Sequence, residues 1–168
     1  LYLMSKVFSK FSRLISLESR KSGGNLNAPE LKAVIDKAKV FNMPNDNIER
    51  AIKKGVGESG EELERVTYEA YGPEGVALII EGLTANRNKA SSEIRHILEK
   101  HGGNLGAPGS ALWAFTKNDT GWSPKSPITI SREGFDILSS IVKELEENDE
   151  VRDVFINATA HENFNKHE

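Results

Sequence analysis

The sequence contains no cysteine among its 168 residues, and this absence limits its chemistry. Without thiols there is no disulfide framework, no thiolate zinc site and no cysteine nucleophile. The absence is compatible with a reducing compartment, so we expect a cytoplasmic protein. The sequence also lacks an apolar run near the roughly 18 residues that span a bilayer. Its apolar start, residues 1–4, is too short for a signal peptide, and we expect no membrane association.

Few features of the sequence are typical of an active site. Its four histidines show no i, i+4 pairing, and no carboxylate accompanies them in a ligand spacing such as HExxH. The glycines of residues 102–109 follow a predicted helix and contain no P-loop string, so we interpret them as cap and turn residues. We therefore expect no catalytic residue, no bound metal and no cofactor, and an enzyme is the least favoured class.

The net charge of −3 conceals an uneven distribution along the chain. Residues 1–57 contain eleven Lys and Arg against five Asp and Glu, a net charge of +6. The remaining residues contain eleven against twenty, a net charge of −9. Only the first segment attracts a polyanion broadly. The alternative is that these charges merely solvate two helical surfaces.

Periodic apolar residues predict three helices in the basic segment, over about residues 5–21, 29–41 and 45–54. The cations of the first helix fall on a side of their own: Lys6, Lys10, Arg13 and Arg20. The second helix presents Lys32 and Lys39, and the short third helix carries Arg50, Lys53 and Lys54 near its C-terminal end. Cations there also complement the helix dipole, a role that is compatible with phosphate contact. Together the three helices form a small basic bundle.

The sequence VGESGEE, residues 56–62, interrupts this periodicity with glycine and acid, which predicts a domain boundary with a linker at 58–62. Beyond it we predict a strand to about residue 71, a strand over 76–83, a helix to 101, a strand over 110–115, an extended segment over 122–130, a helix through 135–145 and a strand over 151–157. This order matches a ferredoxin-like arrangement, an antiparallel sheet with both helices on one face. We therefore predict an α+β protein with a three-helix domain over 1–57, an α+β domain over 63–157 and a tail over 158–168.

Two long motifs identify a resemblance. The first contains YEAYGP at residues 68–73, NRN at 86–88, RH at 95–96 and GGNLG at 102–106, and the second contains NMP at 42–44 followed by DNIERAIKKG at 46–55. In their order along the chain, 42–55 and then 68–106, these motifs closely resemble the YebC/PmpR family. Its members are bacterial proteins regarded as probable transcriptional regulators, and their mitochondrial relatives are translational activators of cytochrome c oxidase. The resemblance covers residues 6–115 well and residues 122–157 more loosely.

The sequence departs from the family's pattern in two places. The family has a further α/β domain after the strand predicted at 110–115, and here only residues 116–121 occupy that position. The family's basic GHSKW lead is also absent from the start of the sequence. We expect a shortened chain without the third domain, which weakens any function that depends on the missing parts.

The resemblance implies a DNA-binding transcriptional regulator that uses the basic bundle against phosphates. One alternative is a translation factor or translational activator that binds ribosomal RNA with the same bundle, and another is an interaction module whose acidic α+β domain docks a basic partner. No helix-turn-helix, zinc-finger or RRM-like reader is evident, so binding is expected to be led by the nucleic-acid backbone. The predicted nucleic-acid-binding residues are Lys6, Lys10, Arg13, Lys32, Lys39, Arg50, Lys53, Lys54, Arg87 and Arg95. For Arg87 and Arg95, a surface or salt-bridge role is favoured over a nucleic-acid contact.

Overall fold

The computed structural model describes residues 2–57 and 62–160. Within this part the chain divides into two compact units. One comprises the residues up to Arg65 together with Leu83–Ala85, and the other comprises Val66–Gly82 and the residues from Asn86 onward. None of the helices described is both long enough and apolar enough to cross a membrane.

The first unit is built from three helices, α1 (Tyr2–Ser22), α2 (Pro29–Val40) and α3 (Asn45–Val56), which confirms the three-helix prediction. Pro29 occupies the first turn of α2, where its fixed φ and missing N–H are tolerated. The chain leaves α2 through Asn42, which adopts the left-handed conformation at φ 62°. The buried core consists of apolar residues at helical spacing: Phe11, Ile15, Leu31, Ile35, Ala38, Met43, Ile48 and Ala51.

The remaining elements alternate strands with two longer helices. They are β1 (Glu64–Tyr71), β2 (Ala77–Thr84), α4 (Arg87–Lys100), β3 (Asn104–Leu105), β4 (Phe115–Asn118), β5 (Gly121–Pro124), β6 (Ile128–Ile130), α5 (Arg132–Glu147), β7 (Val151–Ile156) and β8 (Ala158–Ala160). Four strands form the main sheet in the order β3-β1-β2-β7, with β3 antiparallel to β1 and β7 antiparallel to β2. Strands β4 and β5 form a separate antiparallel hairpin, and β6 pairs with β8 in parallel.

The central strand β2 is buried on both faces because alternate residues point to opposite sides of a strand. Leu78 and Ile80 belong to one apolar cluster, which also contains Ile94 and Leu98 of α4 and Leu138, Ile141 and Leu145 of α5. Ala77 and Ile79 belong to a second cluster with Ala111, Ala114 and Phe115. Both helices therefore pack on one face of the sheet, which confirms the predicted α+β class with an antiparallel sheet.

The two helices of this unit begin at side-chain caps. The Asn86 side chain accepts a hydrogen bond from the backbone N–H of Lys89 at 3.1 Å, which explains why the NRN motif opens α4. The Ser131 hydroxyl accepts one from the N–H of Gly134, also at 3.1 Å. Glu74 in turn accepts the Ser131 hydroxyl at 2.7 Å, which links the turn between β1 and β2 to the start of α5.

The strand predicted over residues 110–115 is wrong in its position. Residues Leu112–Ala114 form a turn of 3-10 helix, and the strand begins only at Phe115, where it enters the β4–β5 hairpin instead of the main sheet. The reason is a carboxylate about 40 residues upstream. Glu69 accepts hydrogen bonds from the backbone N–H groups of Ala111 and Leu112. These N–H groups are therefore not available to pair with a neighbouring strand of the sheet.

Two further predictions need correction. The extended segment predicted over 122–130 is divided into β5 and β6, because β5 ends at Pro124 and Pro127 precedes β6. The predicted tail from residue 158 begins instead with β8, which continues the structure by pairing with β6. Residues 58–61 of the predicted linker and residues 161–168 of the predicted tail lie outside the described residues.

Candidate nucleic-acid interface

Helices α1 and α3 approach each other closely through small residues. The Ser16 hydroxyl donates a hydrogen bond to the carbonyl of Ala51 at 2.9 Å, and the Ser19 hydroxyl donates to the carbonyl of Ile52 at 2.7 Å. A Cβ atom at Gly55 would lie 2.4 Å from the carbonyl oxygen of Ser16, a distance that real Cβ atoms do not adopt. The absence of a side chain at Gly55 therefore allows this close crossing.

A groove of about 600 Å³ runs along α1 and α3 within the first unit, and we call it the basic groove. Four cationic side chains line it: Arg13, Arg20, Arg50 and Lys54. Four neutral polar side chains add hydrogen-bonding groups: Ser9, Ser12, Ser16 and Asn47. Among the described lining residues there is no Asp or Glu, so every charged side chain of the described lining is cationic.

Local hydrogen bonds orient the arginines of the basic groove. Arg50 donates to the Asn47 side chain, and its Nε lies 3.4 Å from the Asp46 carbonyl oxygen. Arg13 donates from Nη1 to the carbonyl of Leu83 at 3.1 Å. In these three contacts the guanidinium groups donate to carbonyl and amide oxygens, which are neutral acceptors.

Arg20 of the basic groove forms an ion pair with a carboxylate. Its guanidinium lies 3.7 Å from Glu62, whose side chain is 86% exposed. An ion pair this exposed is worth about 0–1 kcal/mol, so it competes only weakly with an incoming phosphate.

The structure brings together three of the predicted nucleic-acid-binding residues, since Arg13, Arg50 and Lys54 all line the basic groove. Arg20 also lines it but was not among those predictions, although its spacing of seven residues from Arg13 on one helix is a usable signal. The remaining predicted cations of this unit are elsewhere on its helices.

Lys10 of α1 is half-buried, whereas Lys32 and Lys39 of α2 and Lys53 of α3 are exposed and do not line the groove. Lys6 falls within α1, and its side chain lies outside the described residues. Arg87 and Arg95 are exposed on α4, in the second unit.

A cluster that the sequence did not reveal lies between α4 and α5 of the second unit. Glu144 accepts a hydrogen bond from Lys100 at 2.7 Å and lies 2.8 Å from Nε2 of His101. These two partners, Lys100 first, lower the pKa of the Glu144 carboxyl below its ordinary value. The pairing spans more than 40 residues, so no local spacing could predict it. In the part of the chain that the structure describes, no three His, Asp or Glu side chains converge as metal ligands.

Two family descriptions match the chain. Residues 3–58 match the "TACO1/YebC protein N-terminal domain", and residues 63–120 match the "TACO1/YebC second and third domain". The basic groove lies almost entirely within the first matched region, with Leu63 in the second.

Individual relatives agree with these matches. A "Probable transcriptional regulatory protein" of Thermoanaerobacter pseudethanolicus is 50% identical over 114 residues, which is 67% of this chain and 46% of the relative. A protein of the same description from Borrelia recurrentis is 51% identical over 115 residues, 67% of this chain and 47% of the relative. The chain thus spans about half the length of the curated relatives it matches.

The chain is also similar to a solved structure. The crystal structure of a conserved hypothetical protein from Aquifex aeolicus superimposes with a TM-score of 0.85 at 32% sequence identity. The superposition covers 94% of this chain and 91% of that one.

Proposed function

The chain belongs to the TACO1/YebC family, and from this premise we propose that it is a nucleic-acid-binding regulator that acts on DNA in transcription. The basic groove supplies its phosphate contacts. The observation that carries this proposal is the convergence of Arg13, Arg20, Arg50 and Lys54 on one groove without a carboxylate among its described lining residues. The relatives' description as transcriptional regulatory proteins supports the choice of DNA.

The size of the groove suggests how DNA is bound. A volume of about 600 Å³ is that of a small-molecule pocket and is too small to enclose a DNA duplex. The groove therefore contacts one strand of the phosphate backbone, with guanidinium groups that match phosphate oxygens in a bidentate geometry. Contacts of this kind give non-specific dissociation constants of roughly 10⁻⁴ to 10⁻⁶ M at physiological salt.

In this proposal, the other predicted cations add contacts to further phosphates along the nucleic-acid backbone. Lys10, Lys32, Lys39 and Lys53 belong to the same positively charged segment of the chain. Arg87 and Arg95 belong to the acidic remainder and contribute less, since the surrounding negative charge repels phosphate.

The double variant R50E/K54E tests the groove directly. Arg50 and Lys54 are exposed cations of α3, so their replacement leaves the core intact. We expect weaker duplex binding and a salt slope smaller by about 0.9 for each phosphate that is no longer neutralised, measured by fluorescence anisotropy across a salt series. The matched control is K125E/K143E, which makes the same change of charge at two exposed lysines of the second unit. Equal affinities and slopes for both variants would contradict the proposal.

The choice of DNA requires a separate experiment, because phosphates are common to both nucleic acids. Crosslinking in cells followed by sequencing of both DNA and RNA separates the two. Discrete promoter peaks without enrichment of ribosomal RNA are the expected result. Ribosomal RNA crosslinks without promoter peaks would assign the same groove to a ribosome-associated translation factor and overturn the DNA part of the proposal.

A further inference from the structure

Trp113 is an exposed aromatic residue in the second unit. The residue is 65% exposed, although tryptophan is highly buried on average in folded proteins. The preceding residues Ala107, Pro108 and Gly109 are also exposed. The ring is therefore exposed a few residues after an exposed segment of small side chains.

Hydrogen bonds hold this ring in place. The indole Nε1–H donates to the carbonyl of Ser110 at 2.8 Å and lies 3.1 Å from the Tyr71 hydroxyl. The Tyr71 hydroxyl in turn donates to the same Ser110 carbonyl. Because the only donor of the indole is engaged, what the side chain offers to a partner is its flat apolar surface.

Glu69 fixes the loop that leads to Trp113. Its buried carboxylate accepts hydrogen bonds from the backbone N–H groups of Gly109, Ala111 and Leu112. Burial alone would raise the pKa of Glu69, but these three hydrogen bonds outweigh it and lower the pKa below the ordinary value. The carboxylate is therefore charged at neutral pH and directed at the loop. Glu69 and Tyr71 both lie on β1, so the YEAYGP motif anchors the segment that presents Trp113.

The charge around Trp113 in sequence differs from that of the rest of its unit. Residues 58–168 carry a net charge of −9, whereas residues 100–118 contain two lysines and no Asp or Glu. The buried carboxylate of Glu69 is compensated by its three N–H donors. Within residues 100–118, therefore, no side-chain carboxylate repels a polyanion.

We propose that Trp113 is a stacking platform for an unpaired nucleobase of single-stranded DNA or RNA. This inference rests on the proposed function and deepens it, since it adds a base contact to a protein whose other contacts are to phosphates. Every base has a π-face that stacks on an indole, and a duplex hides that face between neighbouring base pairs. A ring held by hydrogen bonds loses little conformational freedom on binding, which favours recognition.

The variants W113L and W113F test the platform. Removal of a base–aromatic stack weakens single-strand binding by roughly 5- to 150-fold. We expect W113L to show a loss in this range for an oligo-dT strand of about 16 nucleotides, the upper end of the site sizes of single-strand binding folds. W113F, which retains an aromatic ring, should lose less, and duplex affinity should be unchanged in both. Val40→Ala is the matched control because it removes another exposed apolar side chain, one that is 78% exposed on α2.

Fluorescence gives a direct readout that does not depend on affinity. The sequence has two tryptophans, so the variant Trp122→Phe leaves Trp113 as the single emitter. We expect its emission to be quenched when oligo-dT binds and to be unaffected by duplex of the same length. Quenching by both, or by neither under conditions where oligo-dT is bound, would overturn the inference.

The two proposals can fail separately. If R50E/K54E weakens binding while W113L binds oligo-dT as the parent does, the stacking platform is wrong and the proposed function stands. If W113L weakens single-strand binding while R50E/K54E changes nothing, the groove assignment fails and the platform stands. Binding of a proline-rich peptide that W113L abolishes, with oligo-dT affinity unchanged, would assign the surface to protein recognition and overturn the platform.

Discussion

Glu69 illustrates how a single buried residue can determine the course of a distant loop. Its carboxylate satisfies N–H groups that a strand over residues 110–115 would have used, and its own backbone carbonyl accepts the N–H of Gly106 at 2.8 Å. Glutamine has the same shape but cannot replace it, because its side-chain NH2 group is a donor and would face backbone N–H groups that are also donors. The charge of Glu69 is therefore required for the loop that carries Trp113.

We expect Glu69→Gln to destabilise the protein at neutral pH by about 1–3 kcal/mol, the usual effect of an unsatisfied buried polar group. The pKa of Glu69 is lowered on folding, so its contribution is fully present above its ordinary value of 4.5 and is lost as pH falls through the lower folded value. The difference between wild type and E69Q should accordingly shrink below pH 4.5. Urea denaturation at neutral and acidic pH measures this, with the exposed Glu99→Gln as the control. A pH-independent difference would contradict the assigned role.

At the scale of the secondary-structure elements, Gly55 controls the crossing of α1 and α3. We expect Gly55→Ala to lower the free energy of unfolding by up to about 2 kcal/mol. Its Cβ meets backbone that cannot move independently, and such overpacking costs about 1–3 kcal/mol. The roughly 1 kcal/mol that alanine gains over glycine in a helix interior offsets part of this cost. Chemical denaturation measures the change, and the exposed Lys53→Ala should stay within about 0.5 kcal/mol of wild type. A G55A variant as stable as wild type would contradict this role, because α1 and α3 would then accommodate the Cβ by moving apart without loss of stability.

The elements differ in how well their sequence predicts them. The helices of the first unit were predicted because their signal is local, in apolar periodicity and in breaks such as Pro29 and Asn42. The β4–β5 hairpin was missed because the deciding interaction joins Glu69 to residues more than 40 positions away. The basic groove was only partly predictable for the same reason, since its shape depends on where Gly55 meets Ser16 and not on the spacing of cations.

For the whole molecule, counting charges along the chain identified a positive segment before residue 58 and a negative one after it. The structure divides into units near the same part of the chain, although Leu83–Ala85, at the end of β2, group with the first unit. A count of charges could not predict that Leu83–Ala85 belong to the first unit, because this assignment depends on tertiary contacts. Phosphate binding is therefore proposed for one unit and base stacking for the other.

The sequence VGESGEE also leads to a prediction about the whole chain, namely that residues 58–62 are a linker between two domains. A protease that cleaves after glutamate should cut there first, at Glu58, Glu61 or Glu62, because helices and strands resist proteolysis until they open. Mass spectrometry of early digests identifies the cut, and the variant E58Q/E61Q/E62Q should delay it. As a matched control, replacing the exposed helical residues Glu99 and Glu133 by Gln should leave the early pattern unchanged. First cuts within α4 or α5, with residues 58–62 intact, would show that this segment is not the boundary.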